Sequence, residues 1–146
     1  MVFIACAVNC AAIAGCQSRT GAEEAVRQWI QDAHAAVEGK ERGVLGDMIS
    51  DSYADARGNH KSDIEQMLRV WFLRSSNIVL VSKIDEMTVM GDSAATVLLT
   101  AGVAGTSEGV FGLDADALRF ELELETTGDD WLLIGARWGK LGGELR

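Results

Sequence analysis

The order of periodicities along the chain predicts an α+β fold: three helices, then an antiparallel run of strands, with the helices packed on one face of the sheet. Three observations carry this. Apolar residues recur at helical spacing up to about residue 75. From residue 78 onward the spacing changes to the alternation of strands. Glycine- and aspartate-bearing turns separate these strands, as hairpins require. The 146 residues are the size of one ordinary domain, long enough to bury a core without a covalent staple.

Residues 1 to 16 read MVFIACAVNCAAIAGC and carry no charge. The apolar run is shorter than the roughly 20 residues that span a bilayer as a helix. It suits the apolar region of a secretory signal, with small residues before a cut. Ile13-Ala14-Gly15-Cys16 resembles a bacterial lipobox. That resemblance implies a diacylglycerol on the Cys16 sulfur, cleavage after Gly15 and acylation of the new amino terminus. Several acyl chains then hold the protein on a membrane. Gln17 follows the cysteine, and the same resemblance implies sorting to an outer membrane, facing the periplasm. No Lys or Arg precedes the apolar run, and the first base is Arg19. The competing reading is a buried N-terminal element in a cytoplasmic protein. The expected organisation is a signal segment over 1–16, a short tether over 17–20, the domain over 21–141 and a loose tail over 142–146.

Thr20-Gly21-Ala22-Glu23 has the form of a capping box, and Val26, Trp29, Ile30, Ala33 and Val37 follow at helical spacing. A first helix is therefore expected over about 21–39, with Gly39 as its stop. A shorter helix runs through Val44, Leu45, Met48 and Ile49. SDSYADARG, residues 50–58, reads as a turn with room for a short strand. Ser62-Asp63-Ile64-Glu65 is a second capping box, opening a helix over about 63–75 with a stripe of Ile64, Met67, Leu68, Trp71 and Phe72. Residues 78 to 90 read as a long strand whose imperfect alternation accommodates a bulge. Ala94 to Val103 is the next strand, and 105–116 a glycine-rich loop. Leu118, Phe120, Leu122 and Leu124 alternate with Arg119, Glu121, Glu123 and Glu125, one face buried and one in water. Trp131 to Lys140 is the last strand.

The long first helix, the short second one with SDSYADARG, the third helix before the long strand, and GDDWLLIGARWGK at the end together resemble the nuclear transport factor 2-like superfamily, with its SnoaL-like proteins and ketosteroid isomerases. The likeness covers about residues 21 to 140. It implies a cone: a strongly curved, mostly antiparallel sheet of four to six strands, cystatin-like, wrapping helices around a central pocket. It also implies a homodimer through the sheet face as the common assembly. In the isomerases a catalytic aspartate follows the second helix, and Asp55 stands in the matching stretch, followed by Ala56 where that motif has proline.

Composition narrows the function. The 22 acids against 13 bases, a net charge of -9, argue against a nucleic-acid partner, which needs a basic face. All three cysteines lie in the opening, and only His34 and His60 follow, so neither a Cys/His metal site nor any cofactor is expected. Asp55 is the candidate general base, with Tyr53 as a hydrogen-bond donor beside it. Trp29, His34, Trp71, Phe120, Arg137 and Trp138 are candidates for the pocket wall. Arg137 has a second reading, as a cross-strand partner of Glu121 or Glu123. The expected function is that of a membrane-anchored envelope lipoprotein. Its domain binds a small apolar ligand or a partner protein, without catalysis. The alternatives are an isomerase, dehydratase or cyclase that uses Asp55, and a structural subunit with a filled pocket. A ligand-binding role calls for an apolar cavity of about 300 Å³ or more.

Overall fold

A computed structural model describes residues 14–104 and 117–146. The expected loop at 105–116 and most of the signal segment lie outside the described residues. The elements are α1 (Ala14–Glu38), α2 (Arg42–Asp47), α3 (Lys61–Arg74), β1 (Val79–Met90), β2 (Ala94–Ala104), β3 (Ala117–Thr127) and β4 (Asp130–Lys140). The strands form one antiparallel sheet in the order β1-β2-β3-β4. The fold class is thus α+β with four strands, and the helices pack on one face.

Helix α1 starts upstream of the expected cap. Residues 17–20, expected as a tether, are helical, and Thr20 lies inside the helix rather than at its start. Capping residues mark a start only where the chain before them leaves helical geometry, and no proline stands there to force that. At the other end α1 stops at Glu38, one residue before the predicted stop. The left-handed residue is Lys40, at φ 55°, not Gly39. The Glu41 amide donates to Ala36 and the Lys40 amide to Val37, which is the Schellman arrangement. Lys40 is held there by its own side chain: Nζ donates to the Ser75 and Ser76 carbonyls after α3. Those bonds offset the strain of a left-handed lysine.

The start of α3 also differs from expectation. The N-cap is His60, whose backbone N–H donates to Asp63 Oδ2 at 2.8 Å. The box lies two residues earlier than Ser62–Glu65 because Ala54 and His60 form an isolated antiparallel bridge. That bridge keeps His60 extended, and the helix begins directly after it.

In β1 the inner residues are Leu80, Ser82 and Ile84, then Met87 and Val89. The phase slips between Ile84 and Glu86, where the register with β2 shifts. This is the bulge that the imperfect alternation allows for. A second shift leaves Ile134 of β4 without a partner opposite Glu123 and Leu124. Residues 48–54 use that irregularity. The Leu133 amide donates to Met48, the Ser50 amide to Leu133 and the Ala54 amide to Ile134, so the segment is sewn to the free edge of β4. The tail over 142–146, expected to be loose, turns back and covers the rest of that edge. The Trp138 amide donates to the Arg146 carbonyl at 3.0 Å, and the Arg146 amide to Trp138 at 3.3 Å. An edge strand presents unpaired amides that demand such partners.

The core has two parts. Around the first half of α1, Val26, Val97, Leu124 and Trp131 pack under the β1–β2 and β3–β4 hairpins. Around α2 and α3, Leu45, Leu68, Trp71, Phe72 and Trp138 form the second part. Phe120, Leu122 and Leu133 touch both.

Candidate functional site

A cavity of about 210 Å³ lies between the second half of α1, the two shorter helices and the inner face of the sheet. Its wall is largely hydrocarbon, supplied by residues such as Ile30, Ala33, Leu68, Leu99 and Leu122; its polar groups are the pair His34 and Ser82 and the indole N–H groups of Trp29 and Trp71. Among the expected wall residues Trp29, His34, Trp71 and Phe120 line it. Arg137 and Trp138 do not, which corrects that expectation. Alternation along β4 sends Arg137 to the outer face, where its guanidinium pairs with Glu121 and lies 3.8 Å from Glu123. Trp138 points inward but beyond the cavity, in the α2–α3 core. Arg57 stacks on its ring at 4.6 Å and donates to the Trp138 and Arg146 carbonyls.

Tyr53 and Asp55 are also absent from the wall. The Asp55 carboxylate is consumed by its own turn. Oδ1 accepts the Arg57 and Asn59 amides, each at 2.9 Å. Oδ2 accepts Asn59 Nδ2 at 2.8 Å and the Tyr53 hydroxyl at 3.3 Å. Aspartate in a turn commonly ends up this way, closing it through its side chain. Tyr53 is buried beneath it, and its hydroxyl is pushed well above the usual phenol range. Burial is the main cause, followed by the neighbouring Asp55 charge. A general base needs a free carboxylate oxygen near a substrate, and Asp55 has neither the freedom nor the place.

The polar pair on the wall extends to a third residue. His34 lies one turn before the end of α1, with Glu38 four residues on and therefore on the same helix face. Ser82 comes from the inner side of β1. The Ser82 hydroxyl is 3.1 Å from His34 Nδ1, and Glu38 Oε1 is 3.5 Å from His34 Nε2. Glu38 is itself held, because Oε1 accepts the Leu80 amide at 2.8 Å. With His34 about 30% exposed and Glu38 38%, the group sits where the cavity meets solvent. Hydroxyl, imidazole and carboxylate in this order is the arrangement that activates a nucleophile. Acyl transfer also needs donors aimed at the oxyanion, and the rest of this wall offers apolar side chains apart from the indole N–H groups of Trp29 and Trp71. Sequence reasoning did not single out Ser82 or Glu38. The signals were present: Glu38 stands at i+4 from His34, and Ser82 is the one polar residue in the inner row Leu80, Ser82, Ile84.

Among the described residues no three His, Cys, Asp or Glu side chains converge as a metal site requires, and no helix is long and apolar enough to cross a membrane.

No protein-family model and no curated protein matches the chain. Solved structures do. A hexachlorocyclohexane dehydrochlorinase, LinA-type3 from Novosphingobium barchaimii, is 12% identical over 89% of this chain and 92% of its own, with a TM-score of 0.67. An NTF2-like protein from Cytophaga hutchinsonii is 12% identical over 78% of this chain and 93% of its own, with a TM-score of 0.62. A domain of unknown function with a cystatin-like fold from Nostoc punctiforme is 14% identical over 80% of this chain and 75% of its own, again with a TM-score of 0.62. At such identities the likeness is one of architecture, which hosts both enzymes and proteins without assigned activity. The chain has the cystatin-like, NTF2-like fold: helices packed against one face of a curled antiparallel sheet, with a cavity between them.

Proposed function

We propose that the domain is a non-catalytic binding protein whose cavity takes one small apolar molecule. The observation that carries this reading is the wall, apolar except for His34, Ser82 and the indole N–H groups of Trp29 and Trp71. The volume of about 210 Å³ is below the size set out above for a typical ligand pocket. It exceeds the roughly 150 Å³ of a dry cavity that binds benzene. The ligand is accordingly compact, on the order of ten non-hydrogen atoms. Apolar burial supplies the affinity, at about 25 cal/mol per Å² removed from water. Against catalysis by Asp55 stands its spent carboxylate. The resemblance at Ile13-Ala14-Gly15-Cys16 supports the second half of the proposal, display of this domain on an envelope membrane through lipid on Cys16.

The binding half is tested by calorimetry with toluene. Saturable binding is expected. Ala33→Leu, which puts hydrocarbon into the cavity from α1, should weaken it at least about tenfold without lowering the melting temperature. A wild-type protein that takes up no toluene, or an Ala33→Leu variant that binds as well as wild type, refutes the reading.

A further inference from the structure

Resting on the cavity as a binding site, we infer that it selects ligands bearing a hydrogen-bond donor, small alcohols and phenols, over hydrocarbons and ethers of the same shape. Glu38 sets the polarity. Its Oε1 faces His34 Nε2 at 3.5 Å and accepts the Leu80 amide at 2.8 Å. The carboxylate therefore cannot swing away without leaving a backbone donor of the edge strand unpaired. A carboxylate facing Nε2 favours the tautomer with the proton on that nitrogen. Nδ1 is then an acceptor, and the Ser82 hydroxyl 3.1 Å away donates to it. With its one proton committed, the Ser82 oxygen offers only lone pairs to the cavity.

Apart from His34, Ser82 has hydrocarbon wall neighbours, Leu80 and Ala101 among them. A hydroxyl placed there donates to Ser82 in a dry setting and recovers the hydration it gave up. An ether oxygen placed there meets lone pair against lone pair and stays unsatisfied, at the cost of its desolvation. One hydroxyl at one position thus turns a cavity for any small hydrocarbon into one that reads a single functional group. The discrimination comes from the unpaired polar atom in the wrong complex as much as from the bond in the right one.

Toluene, phenol and anisole test this, titrated calorimetrically into wild type, Ser82→Ala, Ser82→Thr and Glu38→Gln. Ser82→Ala should weaken phenol about tenfold while toluene stays within about threefold. Ser82→Thr keeps the hydroxyl and should keep the preference. Glu38→Gln removes the charge that selects the tautomer without touching the cavity wall, and should narrow the gap between phenol and toluene. Anisole should gain nothing from Ser82. If toluene binds but phenol is indifferent to Ser82→Ala, or anisole profits from Ser82 as phenol does, the inference is overturned and the apolar binding site stands. If none of the three binds, both fall.

Discussion

At the scale of single residues, the loop over 50–60 shows how burial and charge redirect chemistry. Tyr53 is the chain's one tyrosine, so its ionisation can be followed spectroscopically without interference from another phenol. Burial and Asp55 keep its neutral form in the folded state beyond the pH at which an unfolded chain would ionise it. The raised group contributes stability that is whole below the ordinary phenol value of about 10 and is lost as pH rises above it. Urea midpoints measured on either side of that value should fall for wild type. They should fall much less for Tyr53→Phe, which forfeits about 1 kcal/mol at neutral pH for its bond to Asp55. Equal alkaline losses in both proteins would show that Tyr53 does not govern this limb. Tyr53 and Asp55 stood out in the sequence, but their position did not: nothing in SDSYADARG says that the carboxylate folds back on its own turn. Trp29, Trp71 and Phe120 followed from periodicity. Ser82 and Glu38 left local marks, the i+4 spacing from His34 and the polar break in the inner row of β1, but what the marks mean arises only where β1 meets the end of α1, a long-range contact.

At the scale of elements, the strands were legible nearly to the residue, because alternation records which face is dry. The helix ends were not. Gly39 and Ser62 each have the chemistry of a terminus, yet the termini fall at neighbouring residues because tertiary partners decide, and at Thr20 the helix runs straight through. Lys40 reaches across to the end of α3, and the bridge at Ala54 fixes His60. The tail is the clearest case. GGELR looks like an unstructured end, but Gly142 at φ +79° and the Gly143 amide bonded to Lys140 reverse the chain onto β4. Gly139 is what lets it lie so close, since a Cβ there would collide with the Glu144 carbonyl. Gly139→Ala should therefore lift the tail and strip Arg57 of the Arg146 carbonyl. The expected loss is about 1–2 kcal/mol by denaturation, with faster hydrogen exchange at the Trp138 and Arg146 amides. Unchanged exchange at those two amides would contradict this account of the tail.

At the scale of the whole molecule, the order of helices and strands was enough for the architecture, whereas the size of the cavity depends on long-range packing between the helices and the sheet. The proposed anchor is a whole-molecule property as well. Mass spectrometry of protein extracted from its own membranes should give a chain beginning at an acylated Cys16, and an unmodified chain retaining residues 1–15 would rule that out. With lipid on Cys16, α1, packed against the sheet from Ala22 on, would set the distance from the bilayer to the doorway. His34 lies eighteen residue steps beyond Cys16, which at 1.5 Å of rise each is up to about 27 Å of helix. Held upright at that height, the doorway at His34 and Ser82 stands clear of the headgroups. Molecules then arrive by diffusion through water rather than by sliding out of the bilayer. A domain anchored in that way would sample solutes able to travel alone, and the lipids directly beneath it would stay out of reach.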